Sequence, residues 1–157
     1  GSQCDGLCWF DHCCDGADVV GEALILIGID PGVHTGLAIV NNKHLTDVLS
    51  MTACKAEAVV LDWHKWYPNQ LMVYYEDARM RTWFGQKGKE ALQGAGSIKR
   101  DCQRWEEWLK HHNIPHVGVS PKNNKTKLTA EQFKRITKWE GRSNEHGRDA
   151  AMLIYGR

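Results

Sequence analysis

The sequence predicts a mixed α/β domain: a five-stranded sheet, built from an antiparallel three-strand meander and two parallel strands, with helices on both faces. Two observations carry that expectation. Short apolar runs at the start are separated by tight turn signals, which join antiparallel neighbours. Further on, apolar residues alternate between helical and strand periods, the pattern of crossover units that return one strand parallel to another.

Leu24–Ile29 is a short, branched, nearly continuous apolar run ending at Asp30, as expected of a strand buried on both faces. Pro31-Gly32 breaks it, Leu37–Val40 resumes, and Asn41-Asn42-Lys43 turns the chain into a third strand over His44–Met51. Ala53–Trp66 then reads as a helix with Ala56, Val59, Val60 and Trp63 at helical spacing, ended by Pro68. Leu71–Tyr75 is a fourth strand and delivers Glu76 at its end. A long helical pattern runs from Lys89 to His111, with Ile98, Cys102, Trp105 and Leu109 on one face. Ile114–Val119 is a fifth strand closed by Pro121, and Lys122–Lys127 a polar, basic loop. Thr129-Ala-Glu-Gln132 has the form of a capping box opening a helix with Phe133, Ile136 and Trp139. A last helix begins near Ser143 or Asn144 and carries Asp149-Ala-Ala-Met-Leu-Ile.

The chain of 157 residues accommodates one domain with a proper core, expected over residues 23–157, behind a Cys-rich leader over 1–22. Its 42% hydrophobic and 25% charged residues are ordinary globular values. The longest apolar strip, Ala23–Ile29, is too short to span a bilayer and lacks the flanks of a secretory signal. A soluble, cytoplasmic protein with no membrane partner is expected.

Net charge is only +1, but its distribution is uneven. Residues 1–78 carry 3 Lys/Arg against 11 Asp/Glu, whereas residues 79–142 carry 15 against 6. Local positive potential, and not overall pI, is what a polyanion feels. A solvated basic surface has the same composition, so the basic half points to nucleic acid only together with the acids below. Of the six cysteines, Cys4, Cys8, Cys13 and Cys14 crowd into the leader. A structural zinc on Cys4, Cys8 and Cys13 is the weaker reading, because zinc sites are usually built from paired knuckles and adjacent thiols are awkward joint ligands. Cys54 and Cys102 read as small core residues.

The chemistry rests on three acids. Asp30 and Glu76 each stand where an apolar strand emerges, and Asp149 lies one turn into an apolar helix. Each has a plainer explanation alone: Asp30 opens a Pro-Gly turn, Glu76 is a strand-end carboxylate, Asp149 pairs with Arg148 or caps a helix. Their repeated placement favours convergence at one end of the sheet. Converging carboxylates repel and call for divalent cations, and oxygen or oxygen-plus-imidazole donors suit Mg2+ or Mn2+. Two such ions can activate water and stabilise the leaving oxygen in phosphodiester cleavage.

At this point Gly28-Ile-Asp-Pro-Gly-Val-His-Thr-Gly36 resembles the opening motif of the RuvC-type Holliday-junction resolvases, in the ribonuclease H-like superfamily. Glu76 and Asp149-Ala-Ala follow in the family's order and approximate spacing, so the likeness covers roughly residues 24–157. It implies a ribonuclease H-like fold, a homodimer, two metal ions per site, and paired nicks across a four-way DNA junction. It also implies a cytoplasmic protein, of a bacterium or of a phage or prophage. Many members carry a fourth acid three residues before the last; here His146 stands there, with Glu145 in reserve. Imidazole is a competent Mn2+ ligand and a proton carrier, so metal preference and the role of His146 are open. The resemblance further implies base-stacking residues after the second acid, here Trp83 and Phe84, among the DNA-binding candidates Arg79, Arg81, Lys87 and Lys89. Lys122, Lys125 and Lys127 match the family's basic loop, with Lys125 and Lys127 as candidates to neutralise charge on the leaving oxygen. The long helix, through one of Trp105 and Trp108, is the candidate dimer seam.

Other readings compete. A sugar-kinase-like ATPase shares the opening turn but needs two such domains. A non-catalytic branched-DNA-binding module keeps the fold and has no need of intact acids. A nuclease acting on flaps, forks or RNA–DNA hybrids has the same acids, and only the region around Trp83 and Phe84 and the dimer distinguish it.

Overall fold

The computed structural model describes residues 23–81 and 89–157. Five strands, β1 (Ile25–Asp30), β2 (Thr35–Asn41), β3 (His44–Met51), β4 (Leu71–Glu76) and β5 (His116–Val119), form one sheet in the order β3-β2-β1-β4-β5. The meander β1-β2-β3 is antiparallel, and β4 and β5 are parallel to β1. That is the predicted mixed sheet. The first turn of the meander is fixed by Thr35 Oγ1, which donates to the Gly32 carbonyl at 3.0 Å. The second places Asn42 and Lys43 in the left-handed region, a conformation Asn tolerates well.

Helices α1 (Ala53–Trp66) and α2 (Lys89–His111) cover one face; α3 (Ala130–Thr137) and α4 (Glu145–Ile154) cover the other. Strand alternation sorts the core between them. Ile25, Ile27, Ile29, Leu71, Val73 and Tyr75 pack with Ala56, Val60, Trp105 and Leu109. Leu26, Ala38, Val40 and Val119 face the other way, onto Phe133, Ala150, Ala151, Leu153 and Ile154. Each of the larger side chains among them, Val, Leu, Ile or Phe, contributes about 1.5–3 kcal/mol relative to exposure, which is what holds both helical layers to the sheet.

The seat of α4 depends on missing side chains. A methyl group added to Gly28 would overlap the Ala150 carbonyl oxygen, and one added to Gly36 would overlap the His146 carbonyl. Gly28 and Gly36 lie on neighbouring strands, and Gly36 is the register partner of Asp30. The helix backbone therefore rests directly on the sheet, with its first turn beside the end of β1. Asn144 caps that turn, its Oδ1 accepting from the Gly147 amide at 2.8 Å.

The capping box at α3 is present as expected, with Thr129 and Gln132 exchanging side-chain-to-backbone hydrogen bonds. Three expectations need correction. Cys54 is exposed, because it opens α1 at the surface, whereas Cys102 is buried. Ile98 is 45% exposed, so among the described side chains of α2 the first buried one is Cys102. The fifth strand starts at His116, because Pro115 has no amide to donate to a ladder. Trp105 packs on the sheet; Trp108 lies edge-on to it at 5.5 Å and against His112 at 4.7 Å, within the same chain. Among the described residues no helix is long and apolar enough to cross a membrane.

Candidate active site

Parity brings the acids to one place. Asp30 and Glu76 end adjacent parallel strands whose last register pair is Ile29 with Tyr75. Ile29 and Tyr75 point toward α1 and α2, so Asp30 and Glu76 point to the opposite face. That face carries α4, where His146 and Asp149 are one turn apart at the end nearest β1. Three separate elements thus supply donors to one end of the sheet.

His146 Nδ1 lies 3.1 Å from Asp30 Oδ2. Asn124 donates from Nδ2 to Glu76 Oε2 at 2.9 Å and to the Asp149 carbonyl at 3.1 Å. The Lys127 amide donates to Asp149 Oδ1 at 2.9 Å. Arg148 does not pair with Asp149 as one reading of the sequence allowed; it donates to the Leu128 carbonyl and to Ser143, holding the basic loop against α4.

The electrostatics are those of crowded acids. Burial pushes Asp30 up to about 7, with the Glu76 and Asp149 charges adding to the rise and the His146 hydrogen bond opposing it. Burial also raises Glu76, against the Asn124 hydrogen bond, and raises Asp149, against the Lys127 amide. Among the described residues no three acidic, His or Cys side chains stand as a ready ion cage. Each carboxylate is turned to its own protein donor instead, as repelling groups would be. The donor set still fits a divalent ion: the three carboxylates are partly desolvated, Glu76 and Asp149 raise Asp30, and Asp149 raises Glu76, which is the charge imbalance a hard cation relieves. Asp30, Glu76 and Asp149 would hold Mg2+ or Mn2+, with His146 as the additional donor.

The basic loop is attached at this site through Asn124 and the Lys127 amide, and the Lys122, Lys125 and Lys127 side chains are exposed. Lys127 adopts a positive φ of 58°. Arg81 is exposed, and its charge lowers Glu76. Trp83, Phe84 and Lys87, the side chain of Lys89, and the leader with Cys4, Cys8 and Cys13 lie outside the described residues.

Arg79, a DNA-binding candidate by its neighbours in sequence, has its guanidinium engaged by acids of its own chain. It forms a two-pronged pair with Asp77, Nε to Oδ1 at 2.9 Å and Nη2 to Oδ2 at 2.8 Å, and reaches Glu106 on α2 at 2.7 Å. The physical reason is Asp77, whose side chain is only 4% exposed and needs a counter-charge. Burial would raise Asp77, but the Arg79 hydrogen bonds outweigh it and hold it below the carboxylate range; Arg79 and then Lys110 do the same for Glu106. We expect Arg79→Ala to cost about 2 kcal/mol in denaturant unfolding at neutral pH, by leaving a buried charge unpaired. Lys will not restore it, lacking the fork. Because both acids are depressed, the contribution is full above an unfolded pKa of about 4 and is lost as pH falls through the lower folded values. An undiminished difference between the two proteins at pH 3 would contradict this account.

Neither a protein-family model nor a curated protein matches the sequence. The fold itself has known relatives. A five-stranded mixed sheet in this order, with a helical layer on each face, is the ribonuclease H-like fold. One similar solved structure is T. thermophilus RuvC in complex with a Holliday junction substrate, matched over 84% of this chain and 90% of that one, with a TM-score of 0.54 and 17% identity. At that identity the likeness is one of fold.

Proposed function

We propose that this chain is a metal-dependent, structure-selective DNA endonuclease that resolves four-way junctions by paired symmetric nicks. The observation that carries the reading is the convergence of Asp30, Glu76, His146 and Asp149 at one end of a sheet whose fold is shared with RuvC. Asp30, Glu76, His146 and Asp149 would hold two divalent ions, and the chemistry supplied on binding would be activation of water and neutralisation of the leaving oxygen. The chain's own residues do the rest. Lys125 and Lys127, exposed on a loop tied to Glu76 and Asp149, neutralise charge building on the scissile phosphate. His146 either adds an imidazole donor, favouring Mn2+, or carries a proton while its Nδ1 is held by Asp30. Arg81, Lys87, Lys89 and Lys122 bind phosphates, and Trp83 and Phe84 stack on bases opened at the branch. A C2 homodimer with α2 in its seam would present two identical sites to a branched substrate.

The test is cleavage of end-labelled four-way junction, linear duplex, flap and RNA–DNA hybrid, each with Mg2+ and with Mn2+. The expected result is symmetric nicking of the junction at least tenfold faster than any other substrate. Equal cutting of linear duplex would overturn junction selectivity, and preferential cutting of flap or hybrid would move the chain to another nuclease class of the same fold.

A further inference from the structure

Asn124 is the residue at this site whose geometry the cleavage chemistry leaves unexplained. It follows a short 3-10 turn, Pro121–Asn123, and its own amide donates to the Pro121 carbonyl. Proline fixes the entry to that turn, so the turn presents Asn124 toward the sheet end in one direction. There a single Nδ2 group serves two acceptors on two different elements: the Glu76 carboxylate at the end of β4 and the Asp149 carbonyl on α4.

The orientation of the amide follows from those partners. Turned the other way, Oδ1 would meet two oxygens, and both hydrogen bonds would become repulsions. In the orientation present, Oδ1 is buried and has no hydrogen-bond partner among the described residues. A buried acceptor left without a donor is costly, and the amide bears that cost while its donor serves two elements. Glu76 and Asp149 repel each other, and burial adds to the strain; a donor shared between their elements draws together what their charges push apart.

We infer that Asn124 is a positioning residue: it orients the Glu76 carboxylate through Oε2 and ties β4 to α4, holding two acids of the candidate metal centre in register. The inference rests on the metal-centre reading above. Asn124 leaves Oε1 of Glu76 outside its hydrogen bond, so the carboxylate is steered without being consumed. Hydrogen bonds to ligating carboxylates typically contribute 10–100-fold to metal affinity.

The experiment is calorimetric titration of Mn2+ into wild-type protein and into Asn124→Leu, with thermal melts of both in chelator and electron paramagnetic resonance of the bound Mn2+. Asn124→Leu is expected to weaken Mn2+ binding at least tenfold and to alter the resonance line shape at saturation, in protein that the metal-free melt shows to be folded. A merely structural residue would shift the metal-free Tm and leave the affinity and the spectrum of the bound ion as in the wild type. Equal affinity and identical spectra in the two proteins would overturn the role of Asn124 and leave the metal centre standing. No Mn2+ binding by the wild type would overturn both. Asn124→Ala, read the same way, replaces the leucine variant should that one fail to fold.

Discussion

Asp30→Asn is expected to reduce metal-dependent cleavage by about a thousandfold or more and, in the same protein without metal, to raise stability. The two effects have one cause. Asp30 ends a buried strand, its side chain is only 15% exposed, and burial together with Glu76 and Asp149 pushes it up to about 7. A raised folded-state pKa means that the fold is most stable below the unfolded value of about 4, loses stability as pH rises toward 7, and stays at the lower level beyond. Asn has no charge to desolvate. Its gain should be about 2 kcal/mol at pH 8, as an order of magnitude, and should vanish near pH 4, where the wild-type acid is already protonated. Thermal melts in chelator at the two pH values measure this directly, beside cleavage assays with Mn2+. Undiminished cutting would remove Asp30 from the site, whereas an unchanged melting curve at pH 8 would show that the acids do not strain the metal-free fold.

The second large effect is steric. Gly36→Ala is expected to unfold the domain or cost at least about 3 kcal/mol, because the new methyl group meets the His146 carbonyl carbon and oxygen. Those are backbone atoms, so no side-chain rotation relieves the overlap; the whole first turn of α4 must lift. Lifting it withdraws His146 and Asp149 from Asp30, so any folded fraction should also bind Mn2+ poorly. Gly94→Ala is the matched control. Gly94 lies within α2 with nothing among the described residues near its missing Cβ, so alanine there should stabilise by about 0.5–1 kcal/mol. Urea unfolding of the three proteins separates the cases, and a Gly36→Ala protein as stable as wild type would show that α4 is not seated as described.

Much of this molecule is legible along the chain. The runs bounded by Pro31-Gly32 and Asn41–Lys43 gave β1, β2 and β3 nearly to the residue, because strand period and turn chemistry are local properties. Alternation sets Asp30 and Glu76 on the side opposite Ile29 and Tyr75, but with both faces of the sheet apolar it does not tell which helical layer they meet. Three features were hidden. The seat of α4 depends on Gly28 and Gly36 lying side by side on paired strands, a matter of register that glycine content does not reveal. The pairing of Arg79 with Glu106 was hidden because that partner is on another element, although Asp77 is only two residues away. Asn124 sat unnoticed among lysines, since a single amide has no periodicity; a polar residue directly after a Pro-led turn was the only local sign.

The hydrogen bond between His146 and Asp30 joins residues 116 positions apart in the chain. It connects the first strand of the sheet to the last helix packed on it. A chain still emerging from the ribosome would contain Asp30 and Glu76 long before α4 exists to meet them. Any cutting activity would therefore switch on only when the final helix docks. The same long-range closure makes the candidate centre depend on the docking of α4, so that local melting of that helix alone would take it apart.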